Sequence, residues 1–332
     1  MNHHLRETQP ELGNGLLAVD AGQTGIKLRP HTGAEPGTGS REILLPGVQT
    51  HKEILPQLAA AISHAQREAG TPFATIAIGS TGLTREEYDA AKLSAMLEAP
   101  RGQRVLLAHD SVTSYLGAFA DGPGAVVAAG TGVVTLAVGE KSVARVDGWG
   151  NIMGDAGSAY WIGQQVLNCV MRAHDGRGPA TALAEPVREQ WPDLEEAYIS
   201  LQSSAARVAL VASFARSASE LAATDQVAAG ICQRAAGELA HSVATALDRV
   251  RGKDTGTVQP VACLGGVFGS EPIMSEFSVR LAQLAPSAVL RPAAGSGLDG
   301  AAHLASLAAQ HPLQSMVSQT VTATDESVQI QC

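Results

Sequence analysis

The chain has 332 residues, of which 45% are hydrophobic, 17% charged and 4% aromatic, with a formal net charge of −9. That length suits two domains with separate cores, and the negative charge argues against nucleic acid or an anionic membrane as partner, though not against a nucleotide met locally by backbone amides and a metal ion. No apolar run reaches the roughly twenty residues of a membrane span, and the four dispersed cysteines (Cys169, Cys232, Cys263 and Cys332) form neither a zinc site nor a disulfide framework, so a cytoplasmic protein is expected.

In chain order, residues 1–13 read as a flexible arm, polar and lacking the apolar segment of a secretory signal. Gly15–Asp20 is a short apolar run ending on an acid, as in a buried strand. Ala21-Gly22-Gln23-Thr24-Gly25 is a tight turn, and Ile26–Arg29 alternates like a returning strand. Glu42–Leu45 is a third strand, and His51–Gly70 is an amphipathic helix with Ile54, Leu55, Leu58, Ile62, Ala65 and Ala69 on one face. Two buried strands follow, Thr75–Gly79 and Arg104–Ala108, with a helical stretch between them at Arg85–Leu97. This β-α-β order predicts an α/β layer sandwich.

The pattern then restarts. Gly124–Gly130 is a strand, Thr131-Gly132 a turn, and Val133–Val138 and Ser142–Val146 are two more strands, which predicts an internal structural repeat. Residues from 156 to about 250 read as helical, and Val261–Leu264 and Ser287–Leu290 as strands. Gly300–Ala309 is a last helix, and His311–Cys332 a polar, frayed tail.

The densest stretch is Asp147–Gly163, which holds five glycines, two tryptophans and two carboxylates. Glycines so close together let a backbone turn sharply or approach a ligand. Asp155 stands at the head of a helical pattern, either as a small-molecule ligand or as a helix cap. Two β-turn-β elements with Gly and Thr at the turn can hold phosphates through backbone N–H groups and a hydroxyl, or can be ordinary hairpins. Asp20, before the first turn, can reach a Mg²⁺ ion directly or through water. Asp110 ends a buried strand, where ligands gather in open α/β sheets, and could accept a proton from an attacking hydroxyl or cap the next helix. His109 is read as structural.

The ordered set Asp20-x-Gly22-x-Thr24, His109-Asp110, Gly130-Thr131-Gly132, Gly148–Gly163 and Leu264-Gly265-Gly266-Val267-Phe268 resembles the N-acetylglucosamine kinases. These belong to the BadF/BadG/BcrA/BcrD ATPase family, in the sugar kinase, actin and heat-shock chaperone superfamily. The resemblance spans about residues 14–310. It implies an α/β protein of two actin-like (ribonuclease H-like) domains, each with a mixed five-stranded sheet, around an ATP and sugar cleft. The implied division is 14–113 plus 300–312 for the N-terminal domain, 114–299 for the C-terminal domain and 313–332 for a flexible tail.

By the same resemblance, Gly22, Thr24, Gly130, Thr131 and Gly132 grip the ATP phosphates, and Gly265, Gly266 and Ser270 border the adenosine. Asp110 is general base and sugar ligand, Gly148, Trp149, Gly150 and Asp155 line the sugar pocket, and Gln49 is a further sugar contact. Asp20 serves Mg²⁺, and the chain forms a homodimer. Three departures bear on substrate preference: Gln23 in the first turn, Ala156 where the family commonly has Glu, and Pro46–Thr50 in place of a clear sugar-contacting Asn.

The expected activity is MgATP-dependent phosphorylation of an amino sugar, N-acetylglucosamine to its 6-phosphate. Two other readings remain open: an ATPase activator of a 2-hydroxyacyl-CoA dehydratase type enzyme, and a non-catalytic sugar-sensing homologue.

Overall fold

A computed structural model describes residues 13–31, 41–97, 100–251 and 258–322. The expected arm lies outside the described residues except for Gly13, as do residues 323–332 of the expected tail. The chain opens with β1 (Gly13–Ala21), β2 (Ile26–His31), β3 (Ile43–Leu45), α1 (Ile54–Ala69), β4 (Phe73–Ser80), α2 (Ala90–Met96), β5 (Arg104–His109) and α3 (Asp110–Phe119). It continues with β6 (Gly124–Ala129), β7 (Val133–Val138), β8 (Val143–Val146), α4 (Ala159–His174), α5 (Ala184–Gln190), α6 (Leu194–Ser203), α7 (Arg207–Ser213), α8 (Ala215–Leu221) and α9 (Gln226–Val250). Then come β9 (Gln259–Leu264), α10 (Glu271–Leu284), β10 (Ala288–Leu290), α11 (Gly297–Leu304) and β11 (Ser318–Val321).

Contacts divide the chain into two compact units, residues 1–121 with 294–332, and residues 122–293. The divisions fall after 121 and before 294, where 113 and 300 were expected, because α3 runs unbroken to Phe119 and α11 already begins at Gly297.

The first unit carries one sheet in the order β11-β5-β4-β1-β2-β3. β1, β4 and β5 run parallel to one another, while β2 is antiparallel to β1, β3 to β2 and β11 to β5. Its sixth strand corrects the expectation of five strands and of a frayed tail. Residues 318–321 pair with β5 in the register Ser318↔Leu107 to Val321↔Arg104, and the Ser318 hydroxyl accepts the Ala90 N–H at 2.9 Å. A strand there covers an edge that β5 would otherwise leave open. Ser-Gln-Thr-Val is too polar and too short for the alternation that marks a strand in sequence.

The face expected of α1 is buried except at its end: Ile54, Leu55, Leu58, Ile62 and Ala65 pack with Leu17, Val19, Ile76, Ile78 and Val105 of the sheet, while Ala69, in the last turn, is exposed. The helix stops at Gly70, whose φ of 71° places it in the left-handed cap that glycine adopts readily. On the other side of the sheet α11 lies close against α3. A Cβ on Gly300 would stand 1.7 Å from the Thr113 carbonyl oxygen, so only glycine permits that approach.

The second unit repeats the design. Its sheet runs β10-β9-β6-β7-β8, with β6, β9 and β10 parallel and β7 and β8 antiparallel. Replacing β1 to β5 by β6 to β10 reproduces the order and strand directions of the first sheet, which establishes the internal repeat. The α9 helix buries Ile231, Ala235, Leu239, Val243, Ala246, Leu247 and Val250, the face that its spacing predicts. Asp225 caps it by accepting the Ala228 N–H at 2.9 Å. Among the described residues no helix is long and apolar enough to cross a membrane.

Candidate functional site

In the first unit the predicted residues gather at the carboxyl ends of β1, β4 and β5, where open α/β sheets receive ligands. Register carries Asp20 across to Gly79, and Ser80 to His109, so Asp20 and Asp110 finish neighbouring parts of one sheet. The turn after β1 closes with the Gly22 N–H donating to the Gly25 carbonyl at 3.0 Å. The following loop is laid against it, with the Val48 N–H on the Gly22 carbonyl at 3.0 Å. A Cβ on Gly47 would stand 2.1 Å from the Gln23 carbonyl, so this loop too depends on glycine.

Gln23 and Thr24 are exposed. Gln49 is exposed as well, its backbone held by Gln57 through a 2.8 Å bond to the Gln49 N–H. Asp110 is the first residue of α3, and the N-cap position belongs to His109, whose side chain makes no cap bond. His109 instead stacks on Tyr88 with ring centroids 5.1 Å apart, in keeping with a structural role.

Burial pushes the Asp20 carboxyl above its ordinary range; Lys27 opposes this, and the nearby Asp110 charge reinforces it. The N-terminus of α11 is set against the same carboxyl, since a Cβ on Gly297 would lie 3.1 Å from both of its oxygens. That end of α11 is fixed by a capping box between Ser296 and Asp299, and Arg29 donates to Asp299 at 2.5 Å. Burial raises the Asp299 pKa, but the Ser296 N–H, Arg29 and the Ser296 hydroxyl together bring it down to about 2.

In the second unit the predicted residues meet around the carboxyl ends of β6 and β9. The turn after β6 closes with the Gly130 N–H on the Gly132 carbonyl at 2.9 Å. The start of α4 is bolted to it, with the Ala159 N–H on the Gly130 carbonyl at 2.8 Å and the Tyr160 N–H on the Thr131 carbonyl at 3.2 Å. Gly265, at φ 93°, follows β9 beside the end of β6; a Cβ there would stand 2.3 Å from the Ala129 carbonyl oxygen. Gly266 has open space around it. Ser270 is at the N-cap position of α10, yet its hydroxyl is engaged with that of Ser219 on α8 at 2.7 Å.

Asp155 is 6% exposed and does not cap α4. The cap is Ser158, whose hydroxyl accepts the Trp161 N–H, so the helix begins at Ala159, three residues after the expected start of the helical span at 156. Asp155 sits at φ 61° and turns its carboxylate back, accepting N–H bonds from Gly150 at 3.2 Å and from Val133. It lies against Gly132, where a Cβ would be 2.6 Å from its Oδ2. One carboxylate thus joins the Gly148–Gly150 loop to the Gly130–Gly132 turn. Burial raises its pKa, the Asp147 charge adds to that, and the two N–H bonds and Arg145 pull the other way.

Trp149 is 61% exposed, with the Arg145 guanidinium 5.0 Å from its ring centroid. Arg145 also donates to the Gly148 carbonyl.

Asp147, Arg145, Arg29 and Asp299 also bear on these two clusters, through partners that no motif in the sequence marks as functional. Two of these carried a signal. Ser296-x-x-Asp299 is a capping-box spacing, and Asp147-Gly148 is a turn dipeptide. Among the described residues no three His, Cys, Asp or Glu side chains converge as a metal site.

Comparison with known proteins locates this geometry in a family. The chain is 31% identical over 120 residues to an N-acetyl-D-glucosamine kinase of Dictyostelium discoideum, a match covering 35% of this chain and 37% of that protein. It is 30% identical over 110 residues to an N-acetylmuramic acid/N-acetylglucosamine kinase of Clostridium acetobutylicum, covering 32% of this chain and 36% of the relative. The stretches shared with these curated relatives are therefore little more than a third of their length. A solved structure of a candidate N-acetylglucosamine kinase from Chromobacterium violaceum superposes with a TM-score of 0.68 at 26% identity, over 88% of this chain and 99% of that one. Residues 31–305 match the model of the BadF/BadG/BcrA/BcrD ATPase family, and the chain belongs to that family.

Proposed function

We propose that this protein transfers the γ-phosphoryl group of ATP to a hydroxyl of an amino sugar, with the 6-hydroxyl of N-acetylglucosamine as acceptor. The observation that carries the reading is the second unit's Asp155 clamp. It holds a glycine-rich loop of the kind that recognises a small polar ligand against a Gly-Thr-Gly turn of the kind that cradles phosphates. The family match and the named relatives support it.

In this reading Asp110 accepts the proton of the sugar hydroxyl while that oxygen bonds to the γ-phosphorus. The bond between the γ-phosphorus and its bridging oxygen breaks, and ADP leaves with the electron pair. Gly22, Thr24 and the Gly130–Gly132 turn donate to phosphate oxygens, Gly265 and Gly266 border the nucleoside, and Asp155 with Gly148–Gly150 orients the sugar. Ser270, its hydroxyl shared with Ser219, borders the adenosine through its backbone.

Mg²⁺ fits the first unit. Magnesium is usually held by one or two carboxylates and the substrate phosphates, and Asp20 is a partly buried carboxylate repelled by the charge of Asp110. When bound, the ion would neutralise charge on the phosphates, with Asp20 reaching it through water. A cytoplasmic homodimer completes the reading.

The test is ADP release over a panel of hexoses and hexosamines, with ³¹P NMR of the product. The expected result is ADP formation dependent on N-acetylglucosamine and a 6-phosphomonoester. Sugar binding by calorimetry without ADP would support the sensing homologue instead, and absence of both would overturn the assignment.

A further inference from the structure

One carboxylate of the glycine-rich stretch has no part in the chemistry above. Asp147 follows β8 at φ 59°, a left-handed conformation that side chains rarely adopt. Its Oδ1 accepts the N–H groups of Gly148 and Asp155, each at 2.8 Å, and its Oδ2 accepts that of Ala156 at 3.1 Å. The carboxylate lies against Gly154, where a Cβ would be 2.5 Å from Oδ1. Both ends of the loop are therefore tied to a single side chain. With its backbone N–H so held, Asp155 turns its own carboxylate to Gly150 and Val133.

We propose that Asp147 is a positioning residue, whose carboxylate closes residues 148–156 into a fixed ring and thereby aims Asp155. It touches neither nucleotide nor sugar in the reading given above, on which the kinetic part of the inference rests, and it acts through Asp155. Loss of an acceptor for buried N–H groups loosens a loop more than it unfolds a domain when the bonds are local.

The experiment compares Asp147→Asn and Asp147→Gly with wild type in the full chain. Peptide-level hydrogen exchange without ligand is measured beside steady-state kinetics with N-acetylglucosamine and ATP. The expected result for Asp147→Gly is exchange faster by about tenfold in residues 148–156, unchanged exchange in α9, a sugar KM raised about tenfold and an ATP KM nearly unchanged, with a smaller change in the same direction for Asp147→Asn, whose amide oxygen still accepts the Gly148 and Asp155 N–H groups but not that of Ala156. Glycine adopts φ near 59° without strain, so a wild-type-like Asp147→Gly would show that the backbone conformation alone matters and would overturn the proposal. Unchanged exchange in both variants would overturn it too, as would acceleration throughout residues 122–293, which marks general destabilisation. If the wild type consumes no sugar, the kinase reading fails and exchange alone decides. Acceleration confined to the loop then supports the role of Asp147, and its absence refutes it.

Discussion

Asp20 and Asp155 hold opposite kinds of carboxylate chemistry from Asp299. Asp299 is surrounded by donors and reaches a pKa of about 2, so its stabilisation is present above the ordinary value of 3.8 and is lost only as pH falls through about 2. Asp20 is raised by burial, so the folded protein holds this proton more tightly than the unfolded chain does. Its ionisation therefore lowers stability as pH rises from 3.8 through the raised value. Asp20→Asn should accordingly unfold at higher denaturant concentration than wild type near neutral pH, and the gain should shrink toward about pH 4, as urea titrations at the two pH values would read. A variant less stable than wild type near neutral pH would mean that the N-terminus of α11 satisfies the charged carboxylate better than burial penalises it. A carboxyl group whose burial costs stability fits one retained for binding.

Elements in this protein approach one another through glycine. Gly300 in α11 and Gly237 in α9 are both helical, and sequence alone does not distinguish them. A Cβ on Gly300 would meet the Thr113 carbonyl at 1.7 Å, whereas Gly237 has nothing within 4 Å. Gly300→Ala should therefore destabilise by about 1–3 kcal/mol as α11 is pushed from α3. Gly237→Ala should stabilise by about 0.5–1 kcal/mol through backbone entropy. Denaturant midpoints check both, and equal effects would refute the packing argument.

What the sequence hid at this scale was tertiary in origin. The buried face of α9 and the strands of both sheets announce themselves by apolar spacing, as Leu239 and Val243 do. β11 does not, because Ser318–Val321 is a strand only by virtue of the free edge of β5 beside it. The start of α4 is blurred for a different reason: Asp155 and Ser158 are both residue types that cap helices, and only the left-handed backbone of Asp155 leaves the cap to Ser158.

For the molecule as a whole, the duplicated sheet order places Gly22 and Thr24 after β1 as Gly130 and Thr131 follow β6, so the two glycine-threonine turns are one device used twice. The motif order makes these residues legible in the sequence. The reciprocal clamp of Asp147 and Asp155 is not, because its partners are backbone N–H groups, which leave no trace in residue identity. The central claim is that Asp110 accepts the proton of a sugar hydroxyl during phosphoryl transfer. Asp110→Asn, assayed for sugar-dependent ADP formation with ATP affinity measured by calorimetry, tests it most directly. The account predicts a rate lower by about 10²–10⁴-fold with ATP affinity retained. Sugar-dependent turnover at the wild-type rate would contradict it.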